Sequence, residues 1–153
     1  MAENFQLDSL DIKILQLLMT DARISYLDIA RANDVSGATI HLRMNKLENA
    51  GILSGTRLIV NPEKLGFKLC AFIAIHLEKG GLYNEAVKVL KKIKEVTECC
   101  YVTGAYSMFI KLYCKDTAQL REILNEQIQK IQGVQRTETF IILEQSIERQ
   151  VEL

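Results

Sequence analysis

A chain of 153 residues with 48% apolar and 25% charged content is sized for one large globular domain or two small ones. Nineteen basic residues balance nineteen acidic ones, which excludes a uniformly basic chain, so any nucleic-acid contact has to come from local charge. No apolar run reaches the roughly 20 residues of a membrane span, the start MAENFQLDSLD is polar and acidic, and Cys70, Cys99, Cys100 and Cys114 have no CxxC or zinc-type spacing; a cytoplasmic protein with reduced thiols and no metal is expected.

The first sixty residues read as helices. Asp8 is placed as an N-cap, Asp11 suits the first turn, and Leu10, Ile14, Leu17 and Leu18 form one apolar face. Asp21-Ala22-Arg23 interrupts the period. Ser25 followed by Asp28 resembles a capping box and starts a short helix running to about Ala32. Asn33-Asp34-Val35 is a tight turn, and Ser36 caps a third helix with Ile40, Met44 and Leu47 on its core face. Gly51 ends that helix, with Ile52 placed to pack back on it.

Two short helices joined by a tight turn, the second begun by a serine cap, make the helix-turn-helix pattern. The face read as opposite Ile40 and Leu47 presents Thr39, Arg43 and Lys46, flanked by His41, Leu42 and Asn45. In residues 36–57, Arg43, Lys46 and Arg57 against Glu48 leave +2, whereas residues 1–60 carry six basic and seven acidic groups; the positive charge is concentrated on the third helix and the strand after it. Ile52–Val60 is expected to form a β-hairpin wing turning near Ser54-Gly55, and Asn61-Pro62 opens a linker over 61–68.

From Leu69 the period changes. LCAFIAIHLE is a strand, and Leu82, Ala86, Val89, Leu90 and Ile93 mark a helix. Strands over 97–103 and 107–114 flank Gly104-Ala105-Tyr106. Asp116 with Gln119 caps a second helix with Leu120, Ile123, Leu124, Ile128 and Ile131 inward; Gly133 stops it, and Gln135–Glu144 is the last strand. The order β-α-β-β-α-β is ferredoxin-like, so the expected class is α+β: a winged helix-turn-helix over 1–60, a linker over 61–68 and a ferredoxin-like oligomerisation and effector-sensing domain over 69–153. Two helices cover only one face of a four-stranded sheet. Alternation is weak: Ala71, Ile73 and Ile75 oppose Cys70, Phe72 and Ala74, and Met108, Ile110 and Leu112 oppose Phe109 and Tyr113, so the uncovered face is largely apolar and is expected to be buried against a second copy, most simply a dimer.

Several segments together resemble the Lrp/AsnC, or feast/famine, family of transcription regulators: LDSLDIKILQLLMTDARISYLDIA, VSGATIHLRMNKLENAGILSGTRLIVNPEKLGF, EVTECCYVTGAYSMFIKLYC and IQGVQRTETFIIL. Tyr106-Ser107 after Gly104-Ala105 is similar to the AsnC-like branch. The resemblance implies a promoter-binding homo-oligomer of dimers, commonly an octamer built as a tetramer of dimers. It also implies an amino-acid effector, asparagine among the candidates, bound between dimers. Matched residue by residue, the effector positions are Tyr101, Thr103, Gly104, Ala105, Tyr106 and Ser107, with Gln129, Thr137, Glu138 and Thr139 contributed from nearby subunits. Ala105 departs from the acidic or polar residue frequent at its position, which leaves the effector's identity open.

Each of these residues has a plainer reading beside the functional one. Arg43 suits a phosphate or guanine N7 and O6, against a solvated helix charge. Lys46 and Arg57 suit phosphates. Ser36 and Thr39 suit DNA, but Ser36 is also a cap, and His41 suits a base, a phosphate or bare surface. The hydroxyls of Thr103, Tyr106 and Ser107 suit an amino acid, but on residues alone a local β-turn is the better reading; the resemblance reverses that preference. His76 reads as packed or interfacial. No phosphate-cradling glycine loop, GxSxG or HExxH supports catalysis. The expectation is therefore a non-enzymatic DNA-binding regulator responsive to an amino acid. The alternative is a small-molecule-sensing module that acts on protein partners.

Overall fold

A computed structural model describes residues 6–153, and the start of the polar N-terminus, residues 1–5, lies outside the described residues. The chain divides into two compact units: residues up to Ile59 together with Ile147–Leu153, and Val60–Ser146. The sequence pattern places 147–153 with the second domain; they cluster with the first, where the Gln16 side-chain amide donates to the Leu153 carbonyl at 2.8 Å.

The first unit holds α1 (Ser9–Thr20), α2 (Tyr26–Ala32) and α3 (Gly37–Asn49). Asp8 caps α1 by accepting the N–H groups of Leu10 and Asp11, each at 2.9 Å, and the Asp11 carboxylate reciprocates by accepting the Asp8 N–H at 3.2 Å. Ser25 and Ser36 cap α2 and α3 through the N–H groups of Asp28 and Thr39, each at 3.1 Å. Between α2 and α3 the turn passes through Asp34 in the left-handed region, φ 53°. At the end of α3, Gly51 N–H donates to the Glu48 carbonyl and Ile52 N–H to that of Leu47, the paired bonds of a Schellman ending. Ile52 itself is 39% exposed, and Leu53 packs on the core in its place. Ile14, Ile29, Ile40 and Leu47 are fully buried at the centre, with Met44 and Leu15 beside them.

The expected wing does not form. Residues 53–60 make no strand or helix, and Leu58, Ile59 and Val60 are exposed. Two arms of three or four residues, with no third strand or apolar layer beneath them, bury too little to hold a hairpin. Beyond them Asn61 accepts the Lys64 N–H at 3.1 Å, starting a single 3-10 turn, Glu63–Leu65.

The second unit runs β1 (Leu69–Leu77), α4 (Tyr83–Leu90), β2 (Val96–Tyr101), β3 (Met108–Cys114), α5 (Thr117–Glu122) and β4 (Val134–Ile141). After α5 the helix continues as a π-helical turn over Ile123–Ile128. The antiparallel sheet has order β2-β3-β1-β4, the βαββαβ arrangement expected from the sequence. Ala71, Ile73, Ile75 and Leu77 of β1 and Met108, Ile110, Leu112 and Cys114 of β3 are buried, packing with Ala86, Leu90 and Ile93 of the first helical layer and Leu120, Ile123, Ile128 and Ile131 of the second. Each fully buried Ile or Leu contributes about 1.5–3 kcal/mol. Val89 has the spacing of an inward residue; it is 39% exposed, and Val87 packs on the core instead.

The other sheet face carries Cys70, Phe72, Ala74 and His76 of β1 opposite Tyr113, Lys111 and Phe109 of β3 and Phe140, Glu138 and Arg136 of β4. Phe72 and Phe140 are 37% and 44% exposed, and with Phe109 they line a depression of about 380 Å³. Lys111, at mid-strand, is only 7% exposed, a burial the sequence pattern does not anticipate. Its Nζ lies 3.6 Å from Glu98 and 5.8 Å from the Phe72 ring centroid. Desolvation opposes its charge, but the Tyr113 hydroxyl and Glu98 outweigh that and hold its pKa above the ordinary lysine value.

Candidate nucleic-acid interface and effector loop

α3 presents its residues in three strips. Ile40, Met44 and Leu47 are buried against α1 and α2. Away from them, Ala38, Leu42, Asn45, Lys46 and Asn49 are exposed, Leu42 at 71%. Small and amide side chains with an exposed apolar group suit base edges and the thymine methyl group, and a lysine suits phosphate. His41 is exposed and meets the Tyr26 ring edge-on at 4.6 Å, which fixes it against α2. Thr39 shares a 2.8 Å hydroxyl–hydroxyl bond with Ser36, so both sit at the capped N-terminus of α3. Arg57 is exposed in the irregular segment after α3.

Arg43 departs from the expected placement. It comes three residues after Ile40 and four before Leu47, a spacing that sets it beside the buried strip rather than opposite it. Its side chain is 28% exposed, and its Nη1 donates to the Asp8 carboxylate and, at 3.1 Å, to that of Asp11, which is fully buried. The Asp11 N–H and then the Arg43 guanidinium hold the Asp8 carboxyl below its ordinary pKa. The same carboxylates, Asp8 first, raise that of Arg43.

The effector positions fall into three groups within one chain. The first is the loop between β2 and β3. There Gly104 has φ +111°, and Thr103, Gly104 and Ala105 are exposed. The Ser107 N–H donates to the Ile75 carbonyl at 2.9 Å, and its hydroxyl accepts the Leu77 N–H at 3.0 Å. His76 Nδ1 lies 3.1 Å from the Ala105 carbonyl. The Tyr106 hydroxyl donates to Glu138 and accepts from Arg136 Nη2 at 2.9 Å, and the Arg136 guanidinium lies 5.1 Å from the Tyr106 ring centroid. His76 and Arg136 fall outside the set the sequence suggests; a histidine and an arginine paired across β1 and β4 next to the loop are the signal that could have found them.

The second group is Gln129 with Thr137, whose side chains meet at 3.3 Å. Thr137 and Thr139 pair with Ile75 and Ile73, on the sheet face opposite to Glu138. The third is Tyr101, which pairs with Met108 and stacks on Tyr83 at 4.5 Å, away from Tyr106. Tyr106 and Glu138 are thus joined, while Gln129, Thr137, Thr139 and Tyr101 belong to other surfaces of the same chain. Among the described residues no group of three or more His, Cys, Asp or Glu is placed to hold a metal, and no helix is long and apolar enough to cross a membrane.

Comparison with known proteins agrees with this architecture. Residues 7–48 match the AsnC-type helix-turn-helix domain and residues 70–152 the Lrp/AsnC ligand binding domain. The chain is 42% identical over 149 residues to the regulatory protein AsnC of Escherichia coli strain K12, covering 97% of this chain and 98% of that one. The AsnC of Haemophilus influenzae is 41% identical over 95% of this chain and 97% of its own. The solved structure of E. coli AsnC superposes with TM-score 0.91 at 40% identity, covering 97% of this chain and all of the other. A Neisseria meningitidis transcriptional regulator solved as an L-Met complex has the same fold, with TM-score 0.88 at 24% identity over 97% of this chain and 96% of that one.

Proposed function

Since the chain belongs to the Lrp/AsnC family of transcriptional regulators, which are not enzymes, we propose that it binds DNA as a homodimer and that an amino acid acting at its second unit modulates assembly or DNA affinity. α3 of each copy enters a major groove, so a dimer reads two half-sites about one helical turn apart in a pseudo-palindrome. The observation that carries this reading is the outer strip of α3. A capped helix after a tight turn exposes Ala38, Leu42 and Asn45 with Lys46 at their side. Leu42, Asn45 and Ala38 meet base edges; Lys46, Arg57, Ser36, Thr39 and His41 hold phosphates.

The exposed aromatic face of the sheet supports the dimer. Phe72, Phe109 and Phe140 gain from burial, and Lys111 is already paired with Glu98 for a drier setting. Dimers associate further, up to a tetramer of dimers. An amino acid as effector is supported by the ligand-binding domain match and by the L-Met complex of the Neisseria protein. Its carboxylate and ammonium suit the exposed backbone and hydroxyls of Thr103–Ser107, with Gln129, Thr137 and Thr139 reaching the site from neighbouring copies and Tyr101 at its edge. The protein works in the cytoplasm.

The test is selection of preferred sites from a random duplex library. Light scattering and DNA affinity are then measured with and without asparagine and the other amino acids. The proposal expects an enriched two-fold-related sequence and a mass or affinity change with at least one amino acid. An oligomer with no duplex affinity would instead favour a sensing module acting on protein partners.

A further inference from the structure

Arg43 is a cation on the helix assigned to the groove, yet its charge is turned toward its own domain. Asp11 explains why. Its carboxylate is fully buried in the first turn of α1, and a buried carboxylate is tolerated only with partners. Those partners are the Asp8 N–H, at 3.2 Å, and Arg43 Nη1, at 3.1 Å. The same nitrogen also binds the Asp8 carboxylate, which is engaged in capping α1. One guanidinium therefore joins the start of α1 to the middle of α3, and two carboxylates already neutralise its charge.

We propose that Arg43 is a positioning residue: clamped by Asp8 and Asp11, it sets the angle and height of α3 and makes no net contribution to neutralising DNA phosphates. A phosphate drawing Arg43 away would leave Asp11 buried beside no cation, so the clamp persists on the duplex. Sequence preference depends on Arg43 indirectly, through where the clamp holds Leu42 and Asn45. This rests on the DNA-binding reading above, and the assays separate the two.

The affinity of the full chain is measured for a selected duplex and for a scrambled duplex of equal length, across a salt series. The variants are R43Q, D11N, R43Q/D11N and D8N, the last of which keeps a competent cap. The inference expects R43Q and D11N each to weaken specific binding about tenfold, and the double variant to be no weaker than either one. The scrambled duplex is affected less, so the preference for the selected site narrows. The slope of log K against log salt stays at the wild-type value in all of them. A simple loss of folded protein would weaken both duplexes equally. If Arg43 instead neutralises a phosphate, R43Q lowers the slope by about 0.9 while D11N keeps or improves affinity, and the inference is overturned.

Should wild type show no salt-dependent DNA binding, the functional reading fails on its own. The clamp is still judged by thermal unfolding, where the losses in R43Q and D11N must be non-additive. Should either single variant fail to fold, R43M/D11L, which removes both charges together, is expected to refold. Additive losses, or a double variant no better folded than the singles, contradict the clamp.

Discussion

Replacing Gly133 with alanine tests how the second unit positions β4, the strand that carries Arg136, Thr137, Glu138 and Thr139. Gly133 ends the second helical segment with φ +87°, and its carbonyl accepts the Glu78 N–H at 2.8 Å. An added Cβ would lie 2.2 Å from Leu82 Cδ1 and 3.3 Å from its Cγ, so the half-buried Leu82 side chain has to shift. The left-handed backbone costs about 1–2 kcal/mol for a residue with a Cβ, and forcing a half-buried leucine aside costs about 1–3 kcal/mol more. Together these give a loss of about 2–5 kcal/mol. Gly104, at φ +111°, meets nothing within 4 Å, so Gly104→Ala incurs only the backbone cost. Urea denaturation followed by far-UV circular dichroism should therefore rank Gly133→Ala below Gly104→Ala by at least about 1 kcal/mol. Adding Leu82→Ala to Gly133→Ala should cost less than Leu82→Ala costs alone. Equal losses for the two glycine variants, or simple additivity with Leu82→Ala, would refute the steric reasoning.

Ser36→Ala should destabilise the first unit by about 0.5–2 kcal/mol through loss of the α3 cap, read as a lower thermal midpoint. Ser36→Asp should keep the cap and the stability but weaken DNA binding, because it sets a negative charge where a phosphate approaches. The acid limb of unfolding should carry an Asp8 contribution. Its folded pKa is depressed, so the stability it gives is complete above the ordinary carboxylate value and is lost as pH falls through the lowered one; Asp8→Asn should flatten the curve below about pH 4. Burial pushes the Cys114 thiol up to about 11, so a maleimide at neutral pH should leave Cys114 unmodified until the chain unfolds. Cys100, exposed and paired across the ladder with Phe109, should react in dilute protein and become protected as dimers form.

The parts of the fold legible in the sequence are those set by local rules. Asp8, Ser25, Ser36 and Asp116 each announce a helix start because a short oxygen-bearing side chain satisfies N–H groups two or three residues on, and all four do so here. Alternation in β1 and β3 sorts their residues into the two faces, and the helices show which of the two is the core. The errors have one source, the step from local pattern to tertiary partner. The wing has turn chemistry but nothing to pack on. Ile52 and Val89 have the right spacing, but Leu53 and Val87 are better aimed at their cores. Arg43 reads as outward because arginine on a helix usually is; only the fold shows Asp11, 32 residues away, buried beneath it. Lys111 breaks an apolar alternation, and its cross-strand neighbour Glu98 is the available sign of a buried pair.

The most direct test of the central claim is hydroxyl-radical footprinting of the chain on a selected duplex. Two protected stretches centred about 10–10.5 base pairs apart, or a multiple of that, are expected on one face of the helix, each lost when Asn45 and Lys46 are replaced by alanine. Uniform protection without spacing, or a footprint unchanged by those substitutions, would contradict a dimer that reads DNA through α3.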